Sequence, residues 1–203
     1  MAEDLYKTID KISEGIYKEK GSKFISYAYP VSTEEEIKTI ITDIKKQYYD
    51  ARHHCYAYML GHERNTFRAV DDGEPSSTAG KPILGQILSK EITNVLIIVV
   101  RYFGGTKLGV GGLINAYKSA AADALDNNEI IEKTLDVYFK IEYDYLKMND
   151  VMKLIKDEQL DILSQDFGNL CKMEIRVRES EYKRIKTRIE KLGEVAEELL
   201  RIA

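Results

Sequence analysis

Asp71-Asp72-Gly73-Glu74-Pro75-Ser76-Ser77-Thr78-Ala79-Gly80-Lys81-Pro82 and Arg101-Tyr102-Phe103-Gly104-Gly105-Thr106-Lys107-Leu108-Gly109-Val110-Gly111-Gly112 flank the most apolar run of the chain, Val95-Leu96-Ile97-Ile98-Val99-Val100. The run reads as a buried strand, and the segments beside it as glycine-rich turns. Glycine lets a chain turn sharply and lets another molecule approach its amides closely. From Pro75 through Ala122 the only acid is Glu91, against Lys81, Lys90, Arg101, Lys107 and Lys118, in a chain of net charge −4. An anionic guest is the expectation.

Working outward, residues 15–30 read as two strands broken near Gly21, and Ser32 with Glu35 reads as a capping box. The helix that follows places Ile37, Ile40, Ile41 and Ile44 on one face. Asp50 to Leu60 and Asn65 to Val70 are expected as strands. Lys81 to Lys90 is expected as a short helix with Ile83, Ile87 and Leu88 inward, and Leu113 to Asn127 as an alanine-rich helix. A boundary is placed near residue 130. Beyond it come a strand at Thr134–Tyr143 and a helix at Tyr145–Glu158 with Met148, Val151, Met152 and Ile155 on one side. A hairpin around Gly168-Asn169, a helix at Glu181–Leu192 and a closing strand at Val195–Ile202 follow, the last segment being open to a helical reading as well. This β-α-β-β-α-β order is that of a ferredoxin-like sandwich.

The 203 residues suffice for one large domain or two small ones. Basic and acidic residues number 16 and 18 in residues 1–130, and 14 and 16 in residues 131–203, so both halves are mildly acidic. That excludes uniform electrostatic attraction to nucleic acid and leaves only a local patch. No stretch approaches the roughly 20 apolar residues that span a bilayer, and Met1-Ala2-Glu3-Asp4-Leu5 has no signal-peptide pattern. Cys55 and Cys171 are far apart and match no zinc spacing, which fits a reduced, cytoplasmic setting.

The second glycine segment joins a strand to a helix, an arrangement that offers free amides and the positive end of a helix dipole to an anion. It is neither a dinucleotide fingerprint, since Ile114 stands where the last glycine is needed, nor a Walker loop, since Pro82 follows Gly80-Lys81 where Ser or Thr binds magnesium. The alternative is that the glycines only permit tight turns and close packing. The Asp71, Asp72 and Glu74 carboxylates suit a divalent metal, ordinary turn and cap formation, or pairing with Arg101 or Lys107 across the two loops. His53-His54-Cys55 puts His53 and Cys55 on one side of a strand and His54 on the other, with His62 the only further histidine. Too few ligands converge for zinc, and no orienting group is evident for a nucleophilic dyad, so structural packing is favoured. Between Lys172 and Lys191 lie eight bases and four acids, including Arg176, Arg178, Lys183, Arg184, Lys186 and Arg188. They read either as a solvated, ion-paired surface or as a second contact for an anionic backbone such as RNA.

Gly21-Ser22-Lys23-Phe24, Ala51-Arg52-His53-His54-Cys55-Tyr56-Ala57-Tyr58, Asp71 to Leu84 and Val100 to Tyr117, in that order, resemble the YigZ/IMPACT family, and the likeness covers the whole chain. The resemblance implies an α+β protein: an IMPACT-type N-terminal domain over 1–130, similar to domain 2 of ribosomal protein S5, then a ferredoxin-like domain over 131–203, similar to the last domain of elongation factor G. Ser77 stands where relatives often carry glycine. Eukaryotic relatives regulate a stress kinase acting on an initiation factor by competing for its ribosome-associated activator; that role needs a further domain not expected here. Bacterial relatives carry no established activity, and peptidase chemistry finds no matching residues.

The expectation is a cytoplasmic, translation-associated binding protein that contacts RNA or the ribosome, with a translation-regulatory protein as a further partner and no cofactor. Its anion face would comprise Lys81, Arg101, Gly104, Gly105, Lys107, Gly109, Gly111, Gly112 and Lys118. The alternative is an enzyme acting on a phosphorylated or nucleotide-like small molecule through Asp71, Asp72 and Glu74. A third reading is a protein-interaction module marked by an apolar patch at Tyr102-Phe103.

Overall fold

The computed structural model describes residues 4–168 and 170–202. Residues 1–3, part of the segment read for a signal, and Asn169 of the expected hairpin turn lie outside them. The chain divides into two compact units: Tyr6–Lys133, and residue 134 onward together with the N-terminal residues up to Leu5. No helix among the described residues is long and apolar enough to cross a membrane.

In chain order the first unit carries β1 (Leu5–Ile9), β2 (Ser13–Glu19), β3 (Ser22–Pro30), α1 (Glu34–Gln47), β4 (His53–Leu60), β5 (Thr66–Val70), α2 (Gly80–Ser89), β6 (Val95–Tyr102), α3 (Gly109–Asp126) and β7 (Ile130–Thr134). Five strands form an antiparallel sheet in the order β2-β3-β6-β4-β5, while β1 and β7 pair separately. β6 is central, and every residue from Val95 to Val100 is fully buried. The cause is cover on both faces. Val95, Ile97 and Val99 pack with Ile83 and Ile87 of α2 and Tyr117 of α3, whereas Leu96, Ile98 and Val100 pack with Ile37 and Ile44 of α1. The alanines of α3 let it lie directly on β2 and β3: Ser26 Oγ donates to Ala120 O and Ser13 Oγ to Ala124 O, each over 2.6 Å.

The second unit carries β8 (Asp136–Asp144), α4 (Met148–Asp157), β9 (Asp161–Phe167), β10 (Leu170–Arg178), α5 (Glu179–Leu192) and β11 (Val195–Ile202). Its antiparallel sheet runs β11-β8-β10-β9. Alternate residues of β8 and β10, such as Phe139, Ile141, Met173 and Ile175, are buried with Val151 of α4 and Ile185 of α5. The closing segment is a strand, as the helical alternative is not.

Several local expectations are corrected. The capping box is made by Thr33 and Glu36, one residue later than expected, because the Thr33 hydroxyl accepts from Glu36 N while Glu36 accepts from the cap amide. Leu88 and Met152 are exposed. β1 and β7 are strands to which the sequence reading assigned no element; five residues each are too few for a clear period. α3 begins at Gly109, so Gly109, Gly111 and Gly112 belong to its first turn rather than to the loop before it.

Candidate functional site

Both glycine-rich segments lie at one end of the first unit's sheet, where β6 finishes and β4 begins, with His53 opposite Arg101 in register. Asp71 anchors the first segment. Its carboxylate accepts from the amides of Ser77, Ala79 and Gly80 at 2.8, 3.0 and 2.8 Å, and so caps α2, whose preceding residue Ala79 offers no side-chain cap. Burial would raise the Asp71 pKa, but those amides and Lys81 outweigh it and hold it below the usual carboxylate value. Asp72 adopts a left-handed φ of 42°, accepts from His54 N at 2.7 Å and pairs with Lys45 at 3.2 Å.

Glu74 turns inward. Arg101 Nη1 donates to Glu74 Oε1 over 2.6 Å, Tyr117 Oη donates to the same oxygen over 2.8 Å, and the Cys55 sulfur lies 3.3 Å from Tyr117 Oη. The Arg101 and Glu74 side chains are 8% and 4% exposed. The guanidinium lies 5.4 Å from the Phe24 ring centre and 5.8 Å from that of Phe103, and its buried Nε has no partner among the described residues. Arg101, expected on the anion face, is thus buried against a carboxylate, and the pairing across the two loops is the one that Glu74 makes.

The histidines follow the packing reading. The Asp72 carbonyl can only accept, so His53 Nδ1 carries the proton that meets it at 2.9 Å; by the same reasoning His54 Nε2 donates to Tyr48 O at 3.0 Å. Cys55 is fully buried and donates its one thiol proton to Asp71 O at 2.9 Å. Burial pushes its thiol well up, against the lowering effect of Tyr117, which removes the thiolate that nucleophilic chemistry needs. Among the described residues no group of three His, Cys, Asp or Glu side chains is arranged to hold a metal ion.

The second segment has a different character. Gly104 N donates to Ser22 Oγ at 3.1 Å, and a Cβ on Gly104 would meet Gly21 C at 1.8 Å, so these two backbones touch and admit only glycine. Gly105 and Gly109 take φ of 87° and 75°, and no side chain caps α3. The first-turn amides of Gly109, Val110 and Gly111 therefore have no side-chain cap and no intrahelical acceptor. Lys81, Lys107 and Lys118 are exposed, and among the described residues none of the three lies within ion-pair distance of a carboxylate. Phe103 is 55% exposed, whereas Tyr102 is partly buried and donates its hydroxyl to Asp50.

The basic segment of the second unit is largely spent on internal pairs. Arg176 meets Asp161 at 2.5 Å, Arg178 meets Asp4 at 3.0 Å, Arg184 and Arg188 share Glu158, and Lys186 meets Glu197 at 2.8 Å. Of those expected there, Lys183 alone lacks a carboxylate partner among the described residues. Sequence reasoning missed Tyr117 and Ser22. Tyr117 is a lone aromatic in an alanine-rich helix, and that oddity was the available signal.

The model of the Impact N-terminal domain matches residues 20–125. IMPACT family member YvyE of Bacillus subtilis (strain 168) is 34% identical over 87% of this chain and 81% of its own. IMPACT family member YigZ of Escherichia coli (strain K12) is 31% identical over 73% of this chain and 74% of its own. The crystal structure of a hypothetical protein aligns over 98% of both chains with a TM-score of 0.72 at 25% identity. A domain match over half the chain, joined to relatives of this identity and coverage, makes the chain a member of the IMPACT family.

Proposed function

We propose that this chain is a cytoplasmic, translation-associated binding protein that contacts RNA or the ribosome through its basic glycine-loop face and regulates translation under stress. One observation carries the reading. Every carboxylate of the first glycine segment is engaged inside the protein, while Lys81, Lys107 and Lys118 stand exposed without carboxylate partners among the described residues. The uncapped turn of α3 adds unsatisfied amides and a helix dipole, features that favour phosphate. The translational part rests on what the family resemblance implies, and a translation-regulatory protein is the further partner proposed.

Two structural assignments belong to the same reading: residues 1–130 as an S5 domain 2-like, IMPACT-type domain, and 131–203 as ferredoxin-like. The sheet order β11-β8-β10-β9 supports the latter. The enzyme reading requires Asp71, Asp72 or Glu74 to leave the partners described above. Filter binding to RNA and co-sedimentation with ribosomes test the proposal. Affinity should fall steeply with salt and drop at least about tenfold in Lys81→Ala/Lys107→Ala. Salt-insensitive association, or none, sinks it.

A further inference from the structure

On the opposite face of the first unit's sheet, a groove of about 560 Å³ runs between α1 and the strand pair β2–β3. Its floor is Ile12, Tyr29, Pro30 and Ile40, and its rim carries Glu35 and Glu36 with no basic residue among the lining. Ile12 is 57% exposed, and Ile16, paired with Ile25 on the same face, is 46% exposed. Glu14 lies opposite Tyr27 in register and therefore on this face. Burial chiefly raises the Tyr29 pKa, and the Glu14 charge adds to the effect. The rim ion pair of Lys38 with Glu35 at 4.0 Å is solvent-exposed and worth little.

The occupant is constrained on two sides. An added strand is disfavoured because the outer edge of β2 is already occupied: Ile16 N donates to Asp123 Oδ2 at 2.8 Å, and Asn127 Nδ2 donates to Glu14 O at 2.9 Å. A polyanion is disfavoured because Glu14, Glu35 and Glu36 would repel it. What fits is a ligand that docks by side chains, apolar along one stripe and positive beside it. We propose that this groove binds a cationic amphipathic helix of a partner protein, its apolar residues on Ile12, Tyr29 and Ile40 and its Lys or Arg on Glu14, Glu35 and Glu36. This surface is separate from the glycine-loop face and does not depend on the reading given to that face.

The test is fluorescence anisotropy with a labelled leucine–lysine amphipathic helix, beside a leucine–glutamate helix of the same pattern. The lysine helix should bind at least about tenfold tighter, and Ile12→Ser/Glu35→Lys should weaken it by about tenfold. Both substituted positions are exposed, and an unchanged melting curve checks the variant's fold. Titration of the unsubstituted, 15N-labelled protein should shift the amides of Ile12, Val31, Thr39 and Ile40, and Lys107→Ala should leave the affinity unchanged. Equal affinity for the two helices, or amide shifts confined to other surfaces, overturns the proposal. So does self-association in sedimentation that Ile12→Ser/Glu35→Lys abolishes, because the groove would then belong to a second copy of the chain.

Discussion

Arg101 Nη1 and Glu74 Oε1 meet at 2.6 Å with both side chains buried, so an ion pair ties the second glycine-rich segment to the first. Tyr117 completes the tie by donating to the same carboxylate oxygen from α3. The two charges compensate one another, and the Phe24 and Phe103 rings beside the guanidinium shelter it from water. Such a pair positions the loops. It is a poor candidate for meeting a ligand directly.

The first prediction follows from that burial. Removing one partner strands the other charge, so Glu74→Met or Arg101→Met alone should each cost about 3–5 kcal/mol in urea denaturation. Together, Glu74→Met and Arg101→Met should cost clearly less than the sum of the two single changes, since no unpaired charge is left. Additive losses would mean that the pair is not what holds the loops.

Asp71 yields a pH-dependent prediction. Its folded pKa lies below the unfolded carboxylate value, so its stabilising contribution is complete above the unfolded value of about 4 and is lost as pH falls through the folded one. Asp71→Asn keeps one acceptor oxygen where three amides need satisfying, and should cost about 1–2 kcal/mol at pH 7. The gap between the two proteins should then narrow as the pH is lowered below about 4. A gap that widens in acid would reverse the assignment of Asp71 as an ionised cap.

How much of this was legible depends on how far apart the interacting residues lie. Val95 to Val100 announced a strand covered on both faces because the signal sits in one contiguous run. The glycine segments announced turns for the same reason. The partner of Arg101 was not legible in that way: Glu74 is 27 positions away, and only the register of β4 against β6 brings their loops together. The start of α3 was hidden because Gly109, Gly111 and Gly112 are poor helix formers, and tertiary packing overrides their propensity. Ser32 and Thr33 are adjacent hydroxyl residues, each followed by a glutamate three positions on, so sequence alone does not separate the two caps.

Ser77 offers a small test of backbone strain. It takes a φ of 65°, in the region that favours glycine, yet its amide still donates to Asp71 at 2.8 Å. Ser77→Gly removes the Cβ strain and keeps the hydrogen bond, while making the unfolded chain more flexible. A net gain of up to about 1 kcal/mol is expected in urea denaturation. A loss beyond about 0.5 kcal/mol would show that the Ser77 side chain contributes something its backbone does not.

Gly111 separates folding from binding most cleanly. It lies in the first turn of α3, has no positive φ, and a Cβ there would meet nothing within 4 Å. Unlike Gly104, Gly105 and Gly109, it therefore has no steric or conformational reason to be glycine, and Gly111→Ala should stabilise the protein by about 0.5–1 kcal/mol. If phosphate approaches the open amides of this turn, the added methyl stands in its way. The same variant should then lose RNA or ribosome affinity at least about tenfold while being the more stable protein. A variant both more stable and undiminished in binding would move the contact away from the α3 N-terminus and leave only the lysines to carry it.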